Sequence, residues 1–231
     1  SKDRLQAVAT YSIWNKNHTL LHNAARIGDH EILRLLLDHG AAGFVDYAND
    51  DGYTPLILAV DACDQEAIQI LLKHSDSKQD ALCAAIEFYE RAKKDEEDEE
   101  NEQEKQLKTR DVIDRQKLLD WLISLPEISG KKRIGKNPQV SSCYNNVSCS
   151  LPLSDLQLTA FQLLCHYKDK VYFDKLLEAL PENLEKKLDA KGNTFLHLAV
   201  RGANPENKTH LDLIEKLIAI QKPKEKQIPW V

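Results

Sequence analysis

Three groups of residues in this 231-residue chain are of types that could do chemistry. His197 stands alone inside the apolar run "NTFLHLAVRG", Asn193 to Gly202, where a histidine can be a general base, a metal ligand or a piece of scaffold. Cys143 and Cys149 lie six residues apart with no neighbouring histidine pair. A tetrahedral zinc site needs four convergent ligands, usually as two close pairs, so this spacing argues against metal and leaves a disulfide open only in an oxidising environment. Cys165 and His166 are adjacent in "LLCHYKDK". Neighbours on a helix point about 100° apart, and a nucleophile and its base must meet within hydrogen-bond reach, so adjacency counts against a catalytic pair. The sequence holds no phosphate-cradling glycine loop, no H-E-x-x-H and no G-x-S-x-G. On these grounds no catalytic, cofactor-binding or metal-ligating residue is expected, and the chain does not read as an enzyme.

The elements that would carry such residues come next. Hydrophobic content of 42% beside 29% charged residues, with only 8 glycines and 8 prolines, favours a helical protein with a sizeable core. A net charge of −6 argues against non-specific nucleic-acid binding, which draws on clustered Lys and Arg. No stretch has the roughly 20 consecutive apolar residues a membrane helix needs. The N-terminal "SKDRLQAVATYSIW" lacks the apolar centre of a signal peptide. Five scattered cysteines, an odd number, suit a reducing, cytoplasmic setting. The start at Ser1 and the absence of methionine are what a trimmed fragment would show.

Self-similarity organises the rest. "TLLHNAARIGDHEILRLLLDHGA" begins at Thr19 and "TPLILAVDACDQEAIQILLKH" at Thr54; both reach a leucine pair, Leu36-Leu37 and Leu71-Leu72, at the same offset. "TAFQLLCHYKDKVYFDKLL" repeats the pattern from Thr159 to Leu176-Leu177, and "TFLHLAVRG" restarts it at Thr194. Thr19 and Thr54 are suited to cap a helix. The leucines and alanines recur at helical spacing, and Gly28 lets a second helix turn back on the first. One such pair cannot bury its apolar face alone, whereas stacked pairs can.

In these residues the chain resembles the ankyrin repeat, with its T-P-L-H-x-A-A motif, short turn and second helix ending L-L-x-x-G-A. Residues 19 to 41 carry nearly all of that pattern, and Asp51-Gly52 before Thr54-Pro55-Leu56 supplies a compressed lead-in. The resemblance implies an all-α solenoid of about five helix pairs. His22, Ile57, Cys83, Gln162 and His197 then share one place in the unit. A catalytic group would not be interchangeable with isoleucine, so His197 reads as structural, bonded near Thr194 at its helix start. Cys63, Cys83 and Cys165 read as inert core or near-core thiols.

Two departures interrupt the pattern. "DALCAAI", Asp80 to Ile86, aligns with the first helix and "LLDWLI", Leu118 to Ile123, with the second, but 42 residues separate Asp80 from Leu122 where an intact unit has about 17. The extra residues form an acidic insertion, 87 to 111, with eight acidic side chains between Asp95 and Glu104. This reads either as a solvated loop, disordered or helical, projecting from the stack, or as a docking arm for a basic partner. With no glycine, the run does not suit a calcium loop. The second departure is the polar stretch 126 to 158, with a small basic cluster at Lys131, Lys132, Arg133 and Lys136. Repeats resume over 159 to 231, so the expected organisation is 1–125, 126–158 and 159–231.

The resemblance places a partner protein in the groove lined by the first helices and the finger tips. Carried onto this chain, the groove comprises Arg26 and Ile27, Asp61 and Ala62, His166 and Tyr167, and Arg201. The finger "VDYANDDGY" adds Tyr47, Asn49, Asp50 and Tyr53. The leading expectation is a non-enzymatic interaction module for another protein. The alternative is a targeting part of a larger enzyme, or of an effector that a bacterium delivers into the cytosol of a host cell; irregular lysine-rich repeats resemble such effectors.

Overall fold

The computed structural model describes residues 18–76, 78–129, 160–179, 194–201 and 203–221. Every element among them is helical. Two compact units divide the chain, Ser1–Ala160 and Phe161–Val231.

In the first unit, α1 (Leu20–Ile27) and α2 (His30–Asp38) form one hairpin, and α3 (Pro55–Asp61) and α4 (Gln65–Leu72) form the next. A short 3-10 helix, Ala41–Phe44, leads into the finger between them. Thr19 and Thr54 are the N-caps, as the repeat pattern requires, and the Thr54 hydroxyl accepts from the Ile57 N–H at 3.2 Å. Pro55 sits at the first helical position, where a missing N–H costs nothing. Gly28 ends α1 in the left-handed conformation, φ 77°. At the same offset the repeat beginning at Thr54 places Cys63, φ 55°, and the repeat beginning at Thr159 places Lys168, φ 62°.

The residue after each of these turns is an aspartate that caps the second helix. Asp29 accepts from the Ile32 N–H, Asp64 from the Glu66 and Ala67 N–H groups, and Asp169 from the Tyr172 N–H. Asp64 also accepts from His30 Nε2 at 2.7 Å, and Glu66 takes Arg34 at 2.6 Å, so neighbouring hairpins are cross-braced along α2 and α4. The core between them is Leu21, Leu33, Leu56, Ile57, Ile68 and Leu71, all fully buried.

The acidic insertion is built from the repeat's own helices. Tyr89 and Glu90 stand where intact units have a left-handed residue and a capping aspartate, and the following "RAKKDEE" is made, Asp95 apart, of strong helix formers. Nothing breaks the first helix, so α5 continues from Lys78 to Glu97, and α6 returns from Glu102 to Ser124 after a turn capped by Asn101. The eight acidic residues therefore occupy the tip of a helical hairpin. That tip is tied by Lys108 Nζ to Glu99 at 2.5 Å and by the Thr109 hydroxyl to Glu96. The inner end of α6 buries Leu118, Leu119, Leu122 and Ile123, the expected second-helix residues. A short turn of helix, α7 (Pro126–Ser129), follows. The loop beyond it, including Lys131 to Lys136, Cys143 and Cys149, lies outside the described residues, as does the tail after Gln221.

In the second unit, α8 (Ala160–Tyr167) and α9 (Lys170–Ala179) form a hairpin, followed by α10 (Phe195–Val200) and α11 (Lys208–Gln221). Aromatic rings fill its core: Phe161 meets Phe173 at 5.5 Å and Phe195 at 6.5 Å, both edge to face. The residues added before α11 shift its cap to Asn207, which accepts from the Thr209 N–H.

Candidate partner-binding surface

The motif histidine positions belong to the scaffold. His22 is 0% exposed, and its Nδ1 accepts from the Thr19 N–H at 3.1 Å and lies 2.7 Å from the Thr19 hydroxyl. The ring hydrogen is then on Nε2, which donates to the Tyr53 carbonyl at 2.9 Å. One imidazole thus caps its own helix and fastens the following finger. Burial, and then the nearby His18, lower its pKa from 6.5 to about 4, which keeps it neutral. His197 makes the same box with Thr194, with Nδ1 2.8 Å from the hydroxyl. Ile57 and Cys83 occupy the equivalent place in buried surroundings, so no chemistry is attached to it.

The thiols match this scaffold role. Cys83 and Cys165 are buried, and burial pushes both well above the ordinary thiol value. Cys63 is half-buried and likewise raised by burial, although the Arg115 guanidinium acts in the opposite sense. Such thiols are poor nucleophiles at neutral pH. Among the described residues no group of three or more His, Cys, Asp or Glu could hold a metal ion, and no helix is long and apolar enough to cross a membrane.

What the scaffold leaves outside is the surface at the ends of the first helices. Arg26 and Ile27 close α1, and Ile27 is 70% exposed, a large apolar side chain in water. Asp61 and Ala62 occupy the same places at the end of α3, both exposed. On the finger, Tyr47 is 56% exposed, with its ring edge-on to Phe44 at 6.1 Å, and Asp50 is exposed. His166 and Tyr167 are half-buried at the end of α8, and Arg201 is exposed at the end of α10. The structure thus divides these residues between its two units.

Asn49 departs from the expected role. It is 6% exposed: its side-chain oxygen accepts from the Tyr53 N–H at 2.9 Å and its amide donates to His18 at 3.2 Å. Its backbone N–H also donates to the Tyr53 carbonyl at 2.9 Å, so every polar atom is engaged in closing the finger turn. Tyr53 is half-buried, its backbone tied to Asn49 and His22 and its ring 6.4 Å from Phe88.

Two residues on this surface escaped the sequence reading. Glu87 holds in α5 the place that Arg26 and Asp61 hold in α1 and α3, but it is largely desolvated. Burial raises its carboxyl from 4.5 to about 7 against the opposing charge of Arg91. Counting seven residues on from Asp80 would have found it. Arg115 reaches back from α6: it bonds Asp111 at 3.0 Å, stands 3.4 Å from Asp61 and lies over the Phe88 ring at 5.5 Å. Only the observed course of the hairpin brings it there.

The sequence profile of the ankyrin repeats (3 copies) matches residues 4–83. Ankyrin repeats are thus found over residues 4–83, and the profile stops at Cys83, inside α5, just before that helix runs on past the usual turn. Among solved structures, the human ASB11 ankyrin repeat domain matches with a TM-score of 0.38 and 17% identity, covering 94% of this chain and 90% of that one. No curated protein matches the chain. Ankyrin repeats are in general protein–protein interaction modules, and typically not enzymes.

Proposed function

We propose that the chain is a non-enzymatic interaction module that holds another protein through the ends of its first helices, the finger and the acidic hairpin. The observation that carries this reading is the contrast within the repeat. Thr19, Leu21, His22, Leu36 and Leu37 in the first repeat, and Thr54, Leu56, Ile57, Leu71 and Leu72 at the same places in the second, are buried and serve packing or capping, whereas Arg26-Ile27 and Asp61-Ala62, at equivalent places, are exposed and chemically different. A 70% exposed isoleucine and a 56% exposed tyrosine lower stability little when removed, but are residue types that add binding energy when covered.

The hairpin contributes charge. Of its eight acidic residues over Asp95 to Glu104, five lie on α5 and α6 and three, Asp98 to Glu100, on the turn that joins them, so their field projects from the tip of a helical support. The experiment is capture of a cellular partner by the full chain, compared with Ile27→Asp, Tyr47→Ala and a chain whose residues 95–104 are neutralised. Capture reduced by any of the three, with the melting temperature unchanged, supports the reading. Equal capture by all three removes it.

A further inference from the structure

Within the second unit, four basic side chains gather around the turn that follows α8. Lys168 occupies the left-handed position, φ 62°, where α1 uses Gly28. A side chain in that conformation costs roughly 1–2 kcal/mol, and a glycine would make the turn without it, so packing does not call for a lysine here. Its ammonium donates to the His166 carbonyl at 3.0 Å. Burial lowers the Lys168 pKa; burial, then Lys168 and Arg201, lower that of His166; burial, then Lys168, lower that of His210. His210 lies in the first turn of α11, and its Nδ1 accepts from the Asn204 N–H at 3.2 Å, which leaves Nε2 as a donor.

Two features separate this cluster from an ordinary solvated basic face. None of the four groups has a carboxylate partner among the described residues, although carboxylates elsewhere in the same unit are used for pairing, as Asp174 is by Lys170 and Lys216. The His166 Nδ1 is also buried without a hydrogen-bond partner. Lys168 and the two imidazoles are partly removed from water, which keeps the rings neutral beside Lys168 and Arg201; a bound anion would favour charge on all of them.

We propose that His166, Lys168, Arg201 and His210 form a reading site for an acidic segment of the partner protein, whose Asp or Glu carboxylates lie against Lys168 and Arg201. The inference rests on the interaction reading above and names the chemistry of the partner at this end of the chain. Two cations, Lys168 and Arg201, match the few carboxylates of a short acidic peptide and fall short of the clustered Lys and Arg on which nucleic-acid binding draws.

The test is fluorescence anisotropy of the full chain with a labelled peptide of alternating Glu and Ser. Three controls accompany it: a Lys-Ser peptide, a single-stranded oligonucleotide and inorganic phosphate as competitor. The expected result is binding of the Glu-Ser peptide that weakens with salt and falls about tenfold in Arg201→Gln and further in the Arg201→Gln/Lys168→Asn double variant. Asn tolerates the left-handed turn, and Arg201 is exposed, so the single variant keeps the test valid if the double one unfolds. The His166 and His210 ring resonances should titrate at higher pH once the peptide is bound.

Undiminished peptide binding by Arg201→Gln, or tighter binding of the oligonucleotide, overturns the proposal, as does full displacement by millimolar phosphate. If partner capture still depends on Ile27 and Tyr47 in that event, the interaction reading stands and only this inference falls.

Discussion

A methyl group placed on Gly28 would stand 2.8 Å from Oδ2 of Asp64, in the next repeat. Asp64 cannot easily yield, because one oxygen caps α4 through the Glu66 and Ala67 N–H groups while the other accepts from His30. Gly28 is needed both for its left-handed φ of 77° and for the close approach of the neighbouring cap.

Gly28→Ala should therefore destabilise the protein by about 2 kcal/mol, combining the left-handed penalty with displacement of Asp64. Thermal melts read this directly. The double variant with Asp64→Ala should lose less than the two single losses added together, because the crowding is then already gone. Strict additivity would show that Gly28 matters through its backbone alone.

Cys63 invites the reverse substitution. It holds φ 55° at the place of Gly28, and its thiol is half-buried and held protonated by burial. Cys63→Gly removes the left-handed strain but restores backbone freedom to the unfolded chain. The balance predicts a gain of about 0.5 kcal/mol in denaturant unfolding. A loss beyond about 1 kcal/mol would mean that the sulfur's packing outweighs the strain.

The parts of this fold that the sequence discloses are those that recur at a fixed offset. Thr19, Thr54 and Thr194 announce helix starts, and the leucine pairs announce second helices, because each unit must solve the same capping and burial problem. The hairpin is half legible: Leu118 to Ile123 carry the second-helix pattern, but the turn missing at Tyr89-Glu90, which lets α5 run on, is marked by no breaking residue of its own. Arg115 and the His30–Asp64 brace were hidden because they join residues that are 54 and 34 positions apart, where periodicity gives no guidance. Asn49 misled for a related reason: it looks like an exposed loop residue until its partners Tyr53 and His18 are seen.

His22 ties stability to acid. Its folded pKa of about 4 lies below the unfolded 6.5, so between those values the unfolded chain binds more protons than the folded one. Stability is then full above pH 6.5 and is lost as pH falls toward 4, by up to roughly 3 kcal/mol from this group. In His22→Gln, with the residue that the Thr159 unit uses at the same place, the curve of unfolding free energy against pH should flatten over that window. An unchanged slope would show that other groups set the acid limit.

Glu87 works in the opposite direction. Its folded pKa of about 7 lies above the unfolded 4.5, so the unfolded chain releases its proton first as pH rises, and stability declines between pH 4.5 and 7. The cause is loss of water around the carboxyl, which the charge of Arg91 only partly offsets. Glu87→Gln keeps the shape and removes the charge, so it should raise stability at pH 8 by up to about 3 kcal/mol and leave it nearly unchanged at pH 4.5. Chemical unfolding of both proteins at the two pH values separates this from a packing effect, which would be equal at both. Under the interaction reading, a carboxyl held at such a cost, where sister repeats present Arg26 and Asp61 to solvent, is expected to meet a cationic group of the partner. Glu87→Gln should then weaken capture while it strengthens the fold, and a variant that gains stability with undiminished capture would remove Glu87 from the binding surface.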